Sequence, residues 1–354
     1  MFNPRTEDLN EIISNLDNEL RQLSGATLYL TGAAGFLGRY FLNCIERFNE
    51  FNDEKIKVIG VDNFISSGKF GKSLKNYSSS EVILKQSNLS NMSDDDKVDV
   101  MGCEYVIHAA GIASPTHYKK NPLATIDVAV SGTRSLLECC KSTKAKFTFF
   151  SSSEIYGNPP DEYIPIQETF KGFVSSMGPR ACYDESKRLG ETLCSVFSNE
   201  FGLHTNIIRP FNVYGPGMQS TDYRVMPNFA FRILNNQKLQ VYGSGNQTRT
   251  YCYVTDAISG FIKVFANGKY GQAYNIGNPS EEISAAELAK KFKHISSRNV
   301  EINVIAHPDD YPSDEPDRRC PSIKKAINDL NYSPKVDLSD GIERFLSYIG
   351  IECN

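Results

Sequence analysis

The sequence predicts a doubly wound parallel α/β sheet of about seven strands, followed by a smaller C-terminal α/β lobe. Three observations lead there. Short apolar runs of strand length alternate with longer amphipathic stretches from residue 26 to residue 277. Gly32, Gly35 and Gly38 stand three apart between the first such run and the first long helical stretch. After about Phe211 the alternation gives way to loops rich in Gly, Asn, Tyr and Arg.

Leu9, Ile12, Ile13, Leu16, Leu20 and Leu23 recur at helical spacing and predict an amphipathic helix over 7–23. It reads as a helix packed on the domain surface or against another subunit, not as a membrane anchor. The first strand, from Ala26 to Thr31, runs into Gly32-Ala33-Ala34-Gly35-Phe36-Leu37-Gly38 and then a helix. This order suits a dinucleotide pyrophosphate. The first glycine permits a tight turn, the second lets backbone approach phosphate, and the third lets the helix sit close to the strand. The helix N-terminus adds unpaired N–H groups and a favourable dipole. The second strand, Lys57 to Val61, ends at Asp62-Asn63. A carboxylate there can bond both hydroxyls of an adenosine ribose and would repel a 2′-phosphate, so NAD is expected rather than NADP.

The third strand, Val82 to Leu84, is followed by Asn88-Leu89, and the fourth, Tyr105 to Gly111, ends in Ala109-Ala110-Gly111, small enough to let backbone approach a cofactor. His108 reads as the end of a buried strand, its ring bonded to backbone, rather than as a catalytic group. Leu123, Ile126, Val130, Leu136 and Leu137 predict a helix from Asn121 to Cys140. The fifth strand, Phe147 to Phe150, delivers Ser151, Ser152, Ser153 and Glu154 at its end. Tyr183 and Lys187 then stand four apart, on one face of a helix. An ammonium beside a phenol favours the phenolate, lowering a pKa of about 10. The tyrosine could then take a proton from a substrate hydroxyl that a nearby serine orients. Hydride removal from a secondary alcohol needs such a set. Thr205 to Arg209 and Ala273 to Gly277 complete the strands.

The later loops carry Asn212, Tyr242, Gln247, Arg249 and the run Asp317-Arg318-Arg319-Cys320-Pro321. Arginine pairs with phosphate or carboxylate, and Asn and Tyr suit sugars and uracil-like rings, although any single arginine reads equally as a solvated charge. The expected organisation is an N-terminal helical extension over 1–24, an NAD-binding domain over 25–211 to which 250–278 return, and a mainly substrate-binding lobe over 212–354.

Composition narrows the partners. The 354 residues are 40% hydrophobic and 23% charged, with net charge −4. That balance is ordinary for a globular protein, and no basic surplus argues for nucleic acid. The nine cysteines show no zinc-type spacing and read as reduced, buried thiols; no metal site is expected. No apolar run is long enough to span a bilayer. A soluble, cytoplasmic protein is expected.

On these residues the chain resembles the extended short-chain dehydrogenases/reductases, in their nucleotide-sugar epimerase, dehydratase and decarboxylase branch. The resemblance covers about residue 25 to the end. Its most specific parts are Gly178-Pro179-Arg180-Ala181-Cys182-Tyr183-Asp184-Glu185, Arg209-Pro210-Phe211-Asn212-Val213-Tyr214-Gly215-Pro216, Val241 to Arg249, and Arg319-Cys320-Pro321-Ser322-Ile323. They are most similar to the decarboxylases that convert UDP-glucuronate to UDP-xylose for polysaccharide synthesis. The resemblance implies that Ser152 orients the sugar 4-hydroxyl, that Tyr183 removes its proton, and that Lys187 tunes Tyr183 and holds the nicotinamide ribose. It implies tightly held NAD, with Glu154 and Arg319 near the sugar carboxylate. Arg180, Asn212, Arg224, Tyr242, Gln247 and Arg249 are expected at the substrate. A homodimer is implied, through the helices near 121–140 and 181–201.

Ser153 separates the neighbours within the branch. The 4,6-dehydratases have an Asp-Glu pair where this chain has Ser153-Glu154, and 4-epimerases usually lack the Glu. A 4,6-dehydratase or 4-epimerase is the alternative, and a non-catalytic NAD-binding protein a remoter one. The chain departs from the pattern at Asn88, usually Asp; at Ala129, usually Asn; at Gly217, commonly Arg; and at Tyr223, often Gly.

Overall fold

Seven strands form one parallel sheet in the computed structural model, which describes residues 4–75, 77–222, 224–306 and 316–353; Tyr223 lies outside the described residues. The strands are β1 (Thr27–Thr31), β2 (Lys57–Asp62), β3 (Val82–Gln86), β4 (Tyr105–His108), β5 (Lys146–Phe150), β6 (Thr205–Pro210) and β7 (Gln272–Ile276). Their order is β7-β6-β5-β4-β1-β2-β3, and every neighbouring pair is parallel. Helices cover both faces, so β1, β5 and β6 are buried almost end to end and read in sequence as continuous apolar runs. The strand order reverses between β1 and β4. In such a sheet the crevice beyond the carboxyl ends at that point is where ligands bind. Asp62 ends β2, and Gly32, Ala109 and Ser152 follow β1, β4 and β5, at that edge.

The N-terminal stretch forms two helices rather than one, α1 (Thr6–Asn15) and α2 (Asp17–Gln22). Leu16 breaks the run at φ −129° and ψ 16°. Leu9, Ile12, Leu16, Leu20 and Leu23 are all buried, against α3 (Phe36–Glu50) and a later helix over Val254–Asn267. The helix expected over 121–140 forms as one continuous run, Pro122–Asp127, a π turn over Val128–Gly132 and α4 (Thr133–Thr143), with helical backbone at both junctions. α5 (Ala181–Phe201) carries Tyr183 and Lys187. The helix over Val254–Asn267, α6, packs on β5, β6 and β7 and leads into β7.

The C-terminal lobe is tied together by short pairings. Leu239–Tyr242 pairs with Ile302–Ile305, and Thr248–Arg249 lies between Ile283–Ser284 and Arg318–Arg319. The last pairing sets Arg319 in register with Arg249. Among the described residues no helix is long and apolar enough to cross a membrane, no cluster could hold a metal ion, and the nine cysteines are unpaired.

Candidate active site

A cleft of about 520 Å³ opens at the carboxyl edge of β1, β2 and β4. Its walls include the glycine loop with Phe36 and Leu37, then Asp62, Asn63, Asn88, Leu89, Ala109 and Ala110, which is every residue expected at the cofactor except Tyr183 and Lys187. Two glycines are dictated by space. A Cβ on Gly32, at φ +70°, would lie 2.8 Å from Ala110 backbone, and one on Gly38 would lie 2.3 Å from the Gly32 carbonyl. The α3 N-terminus has no side-chain cap, so its N–H groups face the cleft that the loop encloses. Asp62 accepts bonds from Ala34 N (3.0 Å), Phe64 N (2.7 Å) and Ser67 Oγ (2.9 Å). These fix the carboxylate on the cleft wall and leave part of its acceptor capacity for ribose hydroxyls. Asn88 caps the short helix at Leu89 by accepting from Ser90 N at 3.2 Å. The residues present fit a dinucleotide with a free ribose.

His108 is structural. Its Nδ1 lies 2.8 Å from Thr31 Oγ1, and its Nε2 lies 3.1 Å from the Val128 carbonyl at the π turn. A carbonyl only accepts, so Nε2 carries the proton and Nδ1 accepts from Thr31. Burial and the Lys187 charge push its pKa down to about 3, so it stays neutral.

Beyond β5 the predicted catalytic residues converge. The Ser152 hydroxyl faces the Tyr183 phenol closely enough to favour its ionised form, and Ser152 Oγ accepts from Glu154 N at 3.2 Å. Lys187 Nζ donates to the Phe150 carbonyl at 2.7 Å and lies 5.9 Å from the Tyr183 ring centroid. A Cβ on Gly111, in the cleft wall, would sit 3.0 Å from that ammonium. The expected lowering of the Tyr183 pKa is not found. Burial raises it, against a smaller lowering by Ser152. Burial likewise pushes Lys187 down to about 8. The ammonium is spent on a carbonyl rather than on the phenol, and both groups are shut away from water.

Glu154 has the most charged surroundings. Arg319 donates to both of its oxygens, one bond at 2.7 Å, and Arg180 donates to one of them. Arg180 also lies 3.5 Å from Asp184. The Arg319 and Arg180 side chains are only 2% and 5% exposed. Two buried guanidiniums and two carboxylates thus balance beside Ser152 and Tyr183. Sequence reasoning placed Arg180 at the substrate but not on Glu154.

The remaining residues are more spread. Arg224 lines the cofactor cleft, close enough to Tyr183 to feel its charge, and is held in a fork by Asp222 at 2.5–3.0 Å. Arg249 donates to the Thr248, Pro316 and Asp317 carbonyls, bracing the backbone that carries Arg319. Asn212, at φ +38°, donates to the Thr250 carbonyl at 2.8 Å. Tyr242, its hydroxyl 3.4 Å from Gln240 Oε1, and Gln247, in the turn before Thr248, are not among the residues these bonds gather. Two further residues were missed. Tyr118 stacks on Tyr183 at 5.5 Å and 14°, and Arg39 spans the glycine loop and the segment near Gly217. An arginine directly after the third glycine was the only signal of the second; nothing in sequence signalled the first.

The model of the NAD dependent epimerase/dehydratase family matches residues 28–277. The chain is 34% identical over 322 residues to UDP-glucuronic acid decarboxylase 1 of Arabidopsis thaliana, covering 90% of this chain and 69% of that protein. It is 32% identical over 352 residues to UDP-glucuronic acid decarboxylase 1 of Xenopus tropicalis, covering 96% and 78%. Among solved structures it superposes on UDP-glucuronic acid 4-epimerase from Bacillus cereus, in complex with UDP-glucuronic acid and NAD, with a TM-score of 0.78. Identity there is 27%, covering 91% of this chain and 98% of that one.

Proposed function

The chain belongs to the NAD dependent epimerase/dehydratase family, and within it we propose that it is a UDP-glucuronate decarboxylase forming UDP-xylose. The carrying observation is Glu154 at the end of β5, gripped by Arg319 and Arg180 beside the Ser152–Tyr183 pair. Likeness to decarboxylases over most of the chain supports the same reading.

Bound NAD would accept hydride from sugar carbon 4 and later return it. The chain's residues do the rest. Ser152 positions the 4-hydroxyl and Tyr183 receives its proton. Once carbon 4 is a ketone, the carboxylate at carbon 5 is that of a β-keto acid, and the ketone can take the electrons that carbon dioxide leaves behind. A substrate carboxylate entering beside Glu154 competes with it for Arg319 and Arg180, two donors matched to carboxylate geometry. The carbon that lost the carboxylate takes a proton from solvent beside Glu154, and Tyr183 gives its proton back to the 4-oxygen as the hydride returns. Ser153, buried between Ser152 and Glu154, offers no acid to expel a carbon 6 hydroxyl, which argues against dehydration.

Epimerisation is the second reading, favoured by the likeness to the Bacillus cereus epimerase. Purified protein incubated with UDP-glucuronate and NAD separates the two. Decarboxylation gives a product lighter by one carbon dioxide, whereas epimerisation gives one of unchanged mass and altered mobility. Unchanged mass would sink the proposal.

The active form proposed is a homodimer. Its support is the exposed apolar set Leu123 and Ile126 on the Pro122–Asp127 helix with Leu189 and Val196, seven apart, on the adjoining α5.

A further inference from the structure

The dinucleotide cleft has two walls from distant parts of the chain. One is the glycine loop with Asp62 to Ser66. The other is the segment after Gly215, which contributes Gly217, Met218, Gln219, Thr221, Asp222 and Arg224. Side chains fasten the two walls together at two places. Arg39 is 1% exposed; it donates to the Ala34 carbonyl of the first wall at 3.0 Å and to the Gly217 carbonyl of the second at 2.8 Å. Gln219 reaches back the other way and donates to the Ser66 carbonyl at 3.1 Å. Its side chain fills the space beside Gly68, where a Cβ would lie 2.3 Å from it. Burial brings the Arg39 pKa down only to about 10, so the guanidinium is charged at neutral pH.

We infer that Arg39 and Gln219 are positioning residues that pin the 215–224 segment across the dinucleotide cleft. The pins set how long NAD stays bound and hold Arg224 beside Tyr183. A dinucleotide between the two walls leaves only if the segment swings away, and that breaks both fastenings. Arg39 serves two carbonyls because its fork presents several donors in fixed directions. A lysine is a single point charge and cannot span both. Because Arg224 ends the same segment, a loosened pin also moves a charge that Tyr183 feels. The inference takes from the proposed function only that the group in the cleft is NAD.

The test compares wild type, Arg39→Lys and Gln219→Ala in the full chain. It reads NAD retained after gel filtration, and the rate at which bound NADH is displaced by excess NAD, followed by NADH fluorescence. The chain has no tryptophan to interfere. A charge-assisted buried bond corresponds to about tenfold or more in an equilibrium. Arg39→Lys should therefore release NADH about tenfold faster and purify with less NAD. Gln219→Ala, on a partly exposed side chain, should speed release by about threefold. A purely structural role would lower the urea midpoint and leave release unchanged; the pins predict faster release from Gln219→Ala at an unaltered midpoint. Equal release rates in the folded variants overturn the inference. If Arg39→Lys does not fold, Gln219→Ala decides alone. No sugar is present in either readout, so a failure on UDP-glucuronate would sink the proposed function and leave this result standing.

Discussion

A carboxylate gripped by Arg180 and Arg319 cannot be neutralised without leaving a buried guanidinium short of its counter-charge. Glu154→Gln should therefore lower both stability and turnover, while Tyr183→Phe should separate the two. The phenylalanine keeps the ring stacked on Tyr118, so the fold and NAD binding should survive while turnover falls about 10²–10⁴-fold. Steady-state rates beside NAD content check this; undiminished turnover would remove Tyr183 from the chemistry. Lys187 gives a pH prediction. Burial lowers its pKa to about 8, so the ammonium is present below that value and lost as pH rises through it. NAD binding to the free protein should weaken above pH 8, seen by titrating NAD at several pH values. The burial cost of the charge is relieved over the same rise, so stability does not fall with it. That Ser152, Tyr183 and Lys187 converge was legible because strand end and helical spacing are local signals. The resemblance put Glu154 and Arg319 near one carboxylate, but the direct grip of Arg180 and Arg319 on Glu154 was not legible, because these partners lie 26 and 165 residues away in sequence. The raised Tyr183 pKa was missed because spacing reveals a neighbouring lysine but not the burial that outweighs it.

Elements were legible where one face or both faces meet a core. The N-terminal apolar spacing was read correctly as a packed surface, yet the break at Leu16 was not. Apolar residues continue through it at helical intervals, and tertiary packing decides where the axis turns. This extension is also latched by polar groups. Asp8 accepts from Tyr253 at 2.8 Å, Glu11 from Arg344 at 2.6 Å, and Glu19 from Lys263 at 2.7 Å. Leu20→Ala should thus cost about 2–5 kcal/mol in a urea midpoint analysis, as for a core residue; a cost near zero would make the extension dispensable. α5 carries a comparable dependence. Glu191 receives two bonds from Arg209, at 2.9 and 2.6 Å, on largely buried side chains. Glu191→Ala leaves that charge uncompensated and should cost about 3–5 kcal/mol by the same measurement.

The seven-stranded sheet was legible at the scale of the whole molecule because each parallel strand, covered on both faces, reads as an apolar run. The C-terminal lobe was legible as a smaller unit, but its strand pairings were not. Its pairings at 248–249, 283–284 and 318–319 are two residues long and show no periodicity, yet they set Arg319 against Glu154. Assembly also belongs to this scale. A Leu189→Glu, Val196→Glu double variant should sediment as a monomer if the proposed helix faces pair, whereas a dimer of unchanged stability would place the interface elsewhere. The central claim is that carbon 4 is oxidised, carbon dioxide departs, and the same hydride returns. UDP-glucuronate carrying deuterium at carbon 4 tests it most directly, with the product read by NMR and mass. The account predicts UDP-xylose with the deuterium back on carbon 4. A pentose that has exchanged the label for solvent hydrogen, or a product that keeps its carboxylate, would contradict it.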